Sequence, residues 1–183
     1  TIPLLNTSNV IDMGSMFWNC TALESIPALD TRSAEYMNDM FWNCTSLEAI
    51  PSSLDTGSAV TTNNMFWGCA GLTSIPALDT SNDENMGTMF SGCTNLETIP
   101  VLDTSKTLDM MYMFSECPSL STTTLNNILR MCADADAYIE QGENLFLTMV
   151  GLTNSQIIAC RELSNYQDCI NAGWAESEEG DVY

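Results

Sequence analysis

Apolar positions recur along this chain in two alternating blocks. The segment Ile26-Pro27-Ala28-Leu29-Asp30-Thr31 returns as Ile75-Pro76-Ala77-Leu78-Asp79-Thr80, and variants begin at Ile2, Ile50 and Ile99, with spacings of 24, 24, 25 and 24 residues. The second block reads Met16-Phe17-Trp18-Asn19-Cys20, Met40-Phe41-Trp42-Asn43-Cys44, Met65-Phe66-Trp67-Gly68-Cys69, Met89-Phe90-Ser91-Gly92-Cys93 and Met113-Phe114-Ser115-Glu116-Cys117. A period in this range marks a repeat architecture in which no unit buries its apolar side alone. Leu23 and Ile26 lead into Leu29, and the intervening proline, which has no N–H to donate, limits any strand to a very short one. Met13, Met16, Phe17 and Cys20 fall at i, i+3, i+4 and i+7, which predicts a helical turn with that face inward. Stacking such units predicts a right-handed α/β repeat solenoid of five turns with short parallel strands.

The pattern changes after Leu120, where Ser121-Thr122-Thr123-Thr124 replaces the isoleucine-proline step. Thr123 and Thr124 are N-cap candidates for a helix with Leu125, Ile128, Leu129 and Cys132 on one face. A second apolar run from Leu145 to Val150 ends at Gly151, and Thr153 with Gln156 has capping-box spacing ahead of Ile157 and Ile158. Ser164 or Asn165 opens a third short helix with Tyr166, Cys169 and Ile170 inward, ended by a left-handed Gly173 with Trp174 folding back on it. The organisation expected is a solenoid over 1–122, a small helical C-terminal cap over 123–174 and a solvated acidic tail over 175–183.

Composition narrows the function classes. Twenty-four acidic residues against four cations give a net charge of −20, a field that repels nucleic acid and anionic membrane surfaces. No stretch is long and apolar enough for membrane insertion. The absence of histidine removes the commonest general base and metal ligand together, so serine-histidine and cysteine-histidine nucleophiles are excluded and the chain is expected not to be an enzyme. No cofactor is expected. The chain begins at Thr1, inside a repeat, which fits a fragment or mature product with a further N-terminal portion.

The motif quoted most fully as Met40-Phe41-Trp42-Asn43-Cys44-Thr45-Ser46-Leu47-Glu48-Ala49-Ile50-Pro51 resembles the repeats of BspA-like leucine-rich-repeat surface proteins, over about residues 1–122. The resemblance implies a leucine-rich-repeat fold, an extracellular location on a cell surface or virion, and a role in adhesion or receptor binding, including at the ends of phage tail and other phage structural proteins. It implies no catalytic site. The function expected is a recognition module for a glycan or protein on a bacterial surface; the alternative is a structural spacer that self-associates and has no ligand of its own.

Three groups of side chains carry candidate chemistry. Trp18, Trp42 and Trp67 share a repeat phase one step off the buried phenylalanine, and the later turns carry Ser91 and Ser115 there, so the indoles are expected on one flank, partly exposed, as an aromatic stripe. Ser25, Ala49, Ser74 and Thr98 beside the prolines form a small, smooth surface and are the second candidate ligand face. Asp30, Asp55, Asp79 and Asp103, with Asn6 in the first turn, form an acidic row best satisfied by backbone N–H groups just downstream; calcium bridging is the competing reading. Cys20, Cys44, Cys69, Cys93 and Cys117 are expected as buried free thiols, because equivalent side chains point the same way and five cannot all pair. One disulfide is open among Cys132, Cys160 and Cys169, and a zinc site is disfavoured without a CxxC pair or histidine.

Overall fold

A computed structural model of the chain describes residues 5–26, 28–135, 145–146, 151–172 and 174–175. Left-handed backbone sets the local geometry of the repeats. Ser15 and Asn19 have φ of 58° and 59°, and the same phase is left-handed at Asp39 and Asn43, Asn64 and Gly68, Thr88 and Gly92, and Tyr112 and Glu116. A right-handed helix cannot run through such residues. The chain instead makes successive tight turns: Met16 N donates to Met13 O at 3.3 Å, Trp18 N to Ser15 O at 3.0 Å and Cys20 N to Phe17 O at 3.1 Å.

Turn is bound to turn by backbone hydrogen bonds in constant register. Met13, Ser15, Phe17 and Asn19 donate to the carbonyls of Tyr36, Asn38, Met40 and Trp42 at 2.7 to 2.9 Å, and the pattern repeats up to Gly92 N on Ser115 O at 2.8 Å. Inside this frame the phenylalanines stack in one column, Phe17 on Phe41, Phe66, Phe90 and Phe114, with centroids 5.4 to 6.0 Å apart and near-parallel rings. Met37, Met40 and Leu47, with Met65, Leu72, Met86, Met89, Leu96, Met110 and Met113 in the later turns, fill the space around it and are fully buried. Phenylalanine burial and constant backbone register therefore reinforce one another, because the amide that follows the turn can pair only when the ring beneath is in place.

The expected fold class is overturned. Among the described residues the repeat region contains neither a β-strand nor a helix, so it is not the leucine-rich-repeat solenoid of short parallel strands that the apolar period predicts. Successive turns meet at bridges one residue wide, through Asp12, Tyr36, Thr61, Asn85 and Asp109 on one side and through Ser25 with Ala49 and Ser74 with Thr98 on the other. The reason is local: a left-handed residue follows Asp12 and its equivalents within three positions and turns the chain away before a second pair can form. What stacks is a set of irregular turns.

The three helices among the described residues lie beyond the repeats: α1 over Thr122–Asp134, α2 over Asn154–Cys160 and α3 over Tyr166–Asn171. The strands β1 (Leu145–Phe146) and β2 (Trp174–Ala175) are two residues each and pair in parallel. Ser121, not Thr123 or Thr124, caps α1, accepting from Thr124 N, and Leu125, Ile128, Leu129 and Cys132 are buried. At α2 the Thr153 hydroxyl accepts from Gln156 N and Gln156 returns to Thr153 N at 2.9 Å, a complete capping box. Asn165 precedes α3 without a side-chain cap bond. The expected termination at Gly173, most of the run 145–150 and the acidic tail from residue 176 lie outside the described residues.

The helical segment rests on the last turns. Gln156 Nε2 donates to Cys117 O at 2.8 Å, Asn127 Nδ2 to Ile99 O at 2.8 Å, and Thr104 Oγ1 to Met131 O at 2.7 Å. Gly151, at φ 89°, passes so close to the Ser115 backbone that a Cβ there would collide with it. Glycine at this position is thus required twice, by its φ and by the approach.

Candidate functional site: the tryptophan flank

Trp18, Trp42 and Trp67 form a continuous stack on the flank, with centroids 4.8 and 4.6 Å apart and ring planes within 9°. The period alone aligns them, since each follows a phenylalanine fixed in the inner column. Trp18 is 52% exposed, while Trp42 and Trp67 are half-buried. Both faces of Trp42 are covered by its neighbours, so the row presents mainly ring edges to solvent. Trp18 and Trp67 each turn one face to Trp42.

Beside the indoles runs a short amide row. Asn43 Nδ2 donates to Asn19 Oδ1 at 2.7 Å, and glycine takes the place of asparagine at Gly68 and Gly92. Ser91, which succeeds Trp67 in phase, is buried, and the indole row ends there.

The second candidate face is a separate feature. Ser25 bridges Ala49 and Ser74 bridges Thr98, and all four residues are exposed. No hydrogen bond or ring contact between described residues joins this row to the tryptophans. The extra residue in the 25-residue spacing falls between Ala49 and Ser74, where no bridge forms.

The aspartate row is satisfied locally. Asp55 Oδ1 accepts from Gly57 N at 3.0 Å, Asp79 Oδ1 from Ser81 N at 3.1 Å, Asp103 Oδ1 from Ser105 N at 3.0 Å, and Asn6 Oδ1 from Ser8 N at 3.4 Å. The Ser81 and Ser105 hydroxyls add further donors, which hold the Asp79 and Asp103 carboxyls below the usual range. Asp30 Oδ1 accepts from Arg32 N at 3.3 Å in the same way, and Asp30 adds the Arg32 guanidinium, with Oδ2 at 2.6 Å, a pairing that lowers its pKa to about 2. Among the described residues no group of three or more Cys, Asp or Glu is arranged to hold a metal ion.

All eight cysteines are free. Four of the column thiols donate to the phenylalanine carbonyl of the preceding turn, Cys44 to Phe17, Cys69 to Phe41, Cys93 to Phe66 and Cys117 to Phe90, at 3.1 to 3.2 Å. Burial pushes Cys44 up to about 11 and Cys69 and Cys117 up to about 12, so these are inert packing groups. Cys20 differs from the expected buried thiol and is exposed. Cys132, Cys160 and Cys169 are all buried between the helices.

One functional candidate escaped the sequence reading. Asp83 is 1% exposed at a phase held by Ala34 and Ala59 in earlier turns. Its carboxylate accepts from Thr62 Oγ1 at 2.5 Å and from Asn85 N at 3.0 Å, and burial raises its pKa to about 6 against those two bonds. Thr62 itself stands where other turns place Met37, Met86 and Met110, so the shorter side chain makes room for the carboxylate. The signal was present as a paired departure from the repeat.

The comparisons with known proteins bear on the family. A family described as "Mycoplasma protein of unknown function, DUF285" matches residues 1–98 and 72–145. The chain belongs to this family. Membership in the BspA-like leucine-rich-repeat surface proteins, implied by the Met-Phe-x-x-Cys motif, is thereby overturned, and the strand-free repeats agree with the correction. No curated protein and no solved structure matched the chain. Among the described residues no helix is long and apolar enough to cross a membrane.

Proposed function

We propose that this family member is a non-catalytic recognition module, displayed outside the cell on a surface or virion, that holds a protein or glycan ligand on its tryptophan flank. The observation that carries this reading is the register of Trp18, Trp42 and Trp67: three large amphipathic rings at the surface of a frame locked by backbone hydrogen bonds. Such rings bind with little loss of side-chain entropy, because stacking has already fixed them. Since the ring faces are mostly used within the stack, edge contacts and indole N–H donation dominate, which favours a protein surface over a face-stacked sugar.

The experiment is binding of the full chain to arrays of glycans and cell-envelope proteins, repeated with Trp42→Ala. The expected result is a monomeric protein with a ligand, and a loss of at least about ten-fold in affinity for Trp42→Ala at an unchanged circular-dichroism spectrum. Binding that survives the substitution moves the site to Ser25, Ala49, Ser74 and Thr98. Concentration-dependent self-association without any ligand would instead support the spacer reading and sink this one.

A further inference from the structure

Buried thiols meet two different kinds of partner in this chain. In the repeats Cys44, Cys69, Cys93 and Cys117 each bond a phenylalanine carbonyl of the preceding turn, so these thiols point the same way and face backbone. In the helical segment a thiol meets a thiol: Cys132, near the end of α1, is in hydrogen-bond contact with Cys169 of α3, and Cys160 stands farther off. All three are 0% exposed. Among the described residues they are not arranged to hold a metal ion.

The packing of α3 on α1 brings this pair together. Asn126 Oδ1 accepts from Asn165 N at 3.4 Å and Asn126 O accepts from Asn165 Nδ2 at 3.5 Å, which sets the start of α3 beside α1. From these asparagines Cys132 lies about 9 Å along its helix and Cys169 about 6 Å along its own, at the helical rise per residue. Cys132 continues the inward face of Ile128 and Leu129, and Cys169 is the buried residue of α3.

We propose that Cys132 and Cys169 are a disulfide site, oxidised by exchange with an external disulfide, and that the cross-link ties α3 to the anchored helix α1. The inference stands apart from the recognition reading and needs no ligand. Helix α1 is anchored because Thr124 Oγ1 donates to Glu97 O at 2.8 Å, Asn127 Nδ2 to Ile99 O at 2.8 Å, and Thr104 Oγ1 to Met131 O at 2.7 Å. Helix α3 has six residues and no side-chain cap, too few to persist without packing. A bond at Cys169 therefore acts where the segment is held least.

Burial pushes the Cys132 thiol up, and the Cys160 thiol up to about 11, so thiolate is scarce while the helices are closed. Oxidation then proceeds through openings of α3. One cysteine thiolate attacks a sulfur of the oxidant RSSR, forming a mixed disulfide and releasing one RS−. As the helices close, the second cysteine attacks the protein sulfur of that mixed disulfide and releases the second RS−. The two cysteine protons end on two RSH, and the two electrons lost by the cysteines reduce the oxidant.

The test incubates the full chain, without denaturant, in oxidised glutathione, then alkylates all remaining thiols in denaturant and maps the peptides. The expected product is one Cys132–Cys169 cross-link, with Cys160 and the four column thiols alkylated. Amide exchange in α3 should slow at least about thirty-fold after oxidation and recover with dithiothreitol. Cys160→Ala should cross-link as the parent does, and Cys132→Ala should not. If Cys132→Ala does not fold, the parent and Cys160→Ala maps decide alone. Absence of the cross-link in the parent, pairing through Cys160, or a cross-link that forms only in denaturant would overturn the site. A cross-link that leaves α3 exchange unchanged would overturn the tie between the helices.

Discussion

The repeats and the helical segment solve the same backbone problem in opposite ways. In α1 and α2 each amide finds its partner four residues back, and the ends are closed by Ser121 and by the Thr153 and Gln156 box. In the repeats half of the backbone hydrogen bonds run 23 to 25 residues to the neighbouring turn, and the local ones, mostly three residues back, shape the bend. A helix can therefore fray by itself, whereas a turn is held only by the turns above and below it. The lesson is that the Phe column and the backbone ladder form one cooperative unit, while the helices are stabilised in parts.

Breaking the column should have the largest effect. Phe66→Ala removes the middle ring of five and is expected to destabilise the chain by about 3–5 kcal/mol in denaturant unfolding. A cost below about 1 kcal/mol would show that the turns do not depend on the stack. Next comes Asp83, which tests the ladder by pH. Its folded pKa of about 6 lies above the ordinary carboxylate value of 3.8, so the folded state binds the extra proton. Its penalty is absent below the unfolded pKa and grows until pH passes the folded one. The shift corresponds to about 3 kcal/mol of stability lost between pH 4 and pH 7. Asp83→Asn should flatten that slope; an unchanged slope would assign it to other groups.

The helical side of the comparison responds more weakly and locally. Thr153→Ala deletes one half of the capping box and should cost about 1 kcal/mol, with faster amide exchange confined to α2. Exchange rising across the repeats as well would show that the two regions unfold together. At the small end, Glu48→Gln on the exposed face should stay within about 0.5 kcal/mol, measured by the shift of the same unfolding midpoint. A larger change would mean that the acidic field itself strains the stack.

Sequence by itself determined the period, the phase of every buried Phe, Met and Leu column, the alignment of Trp18, Trp42 and Trp67, and the capping box at Thr153. These follow from spacing and from side-chain chemistry that acts over a few residues. Tertiary structure decided what kind of element each repeat is. Met13, Met16, Phe17 and Cys20 have helical spacing, yet Ser15 and Asn19 between them are left-handed, and no propensity marks serine or asparagine as obliged to be so. That conformation is selected because it aims alternate N–H groups at the next turn, a gain that exists only once the neighbour is in place. The same dependence explains Asp83, whose burial needs Thr62 from another turn.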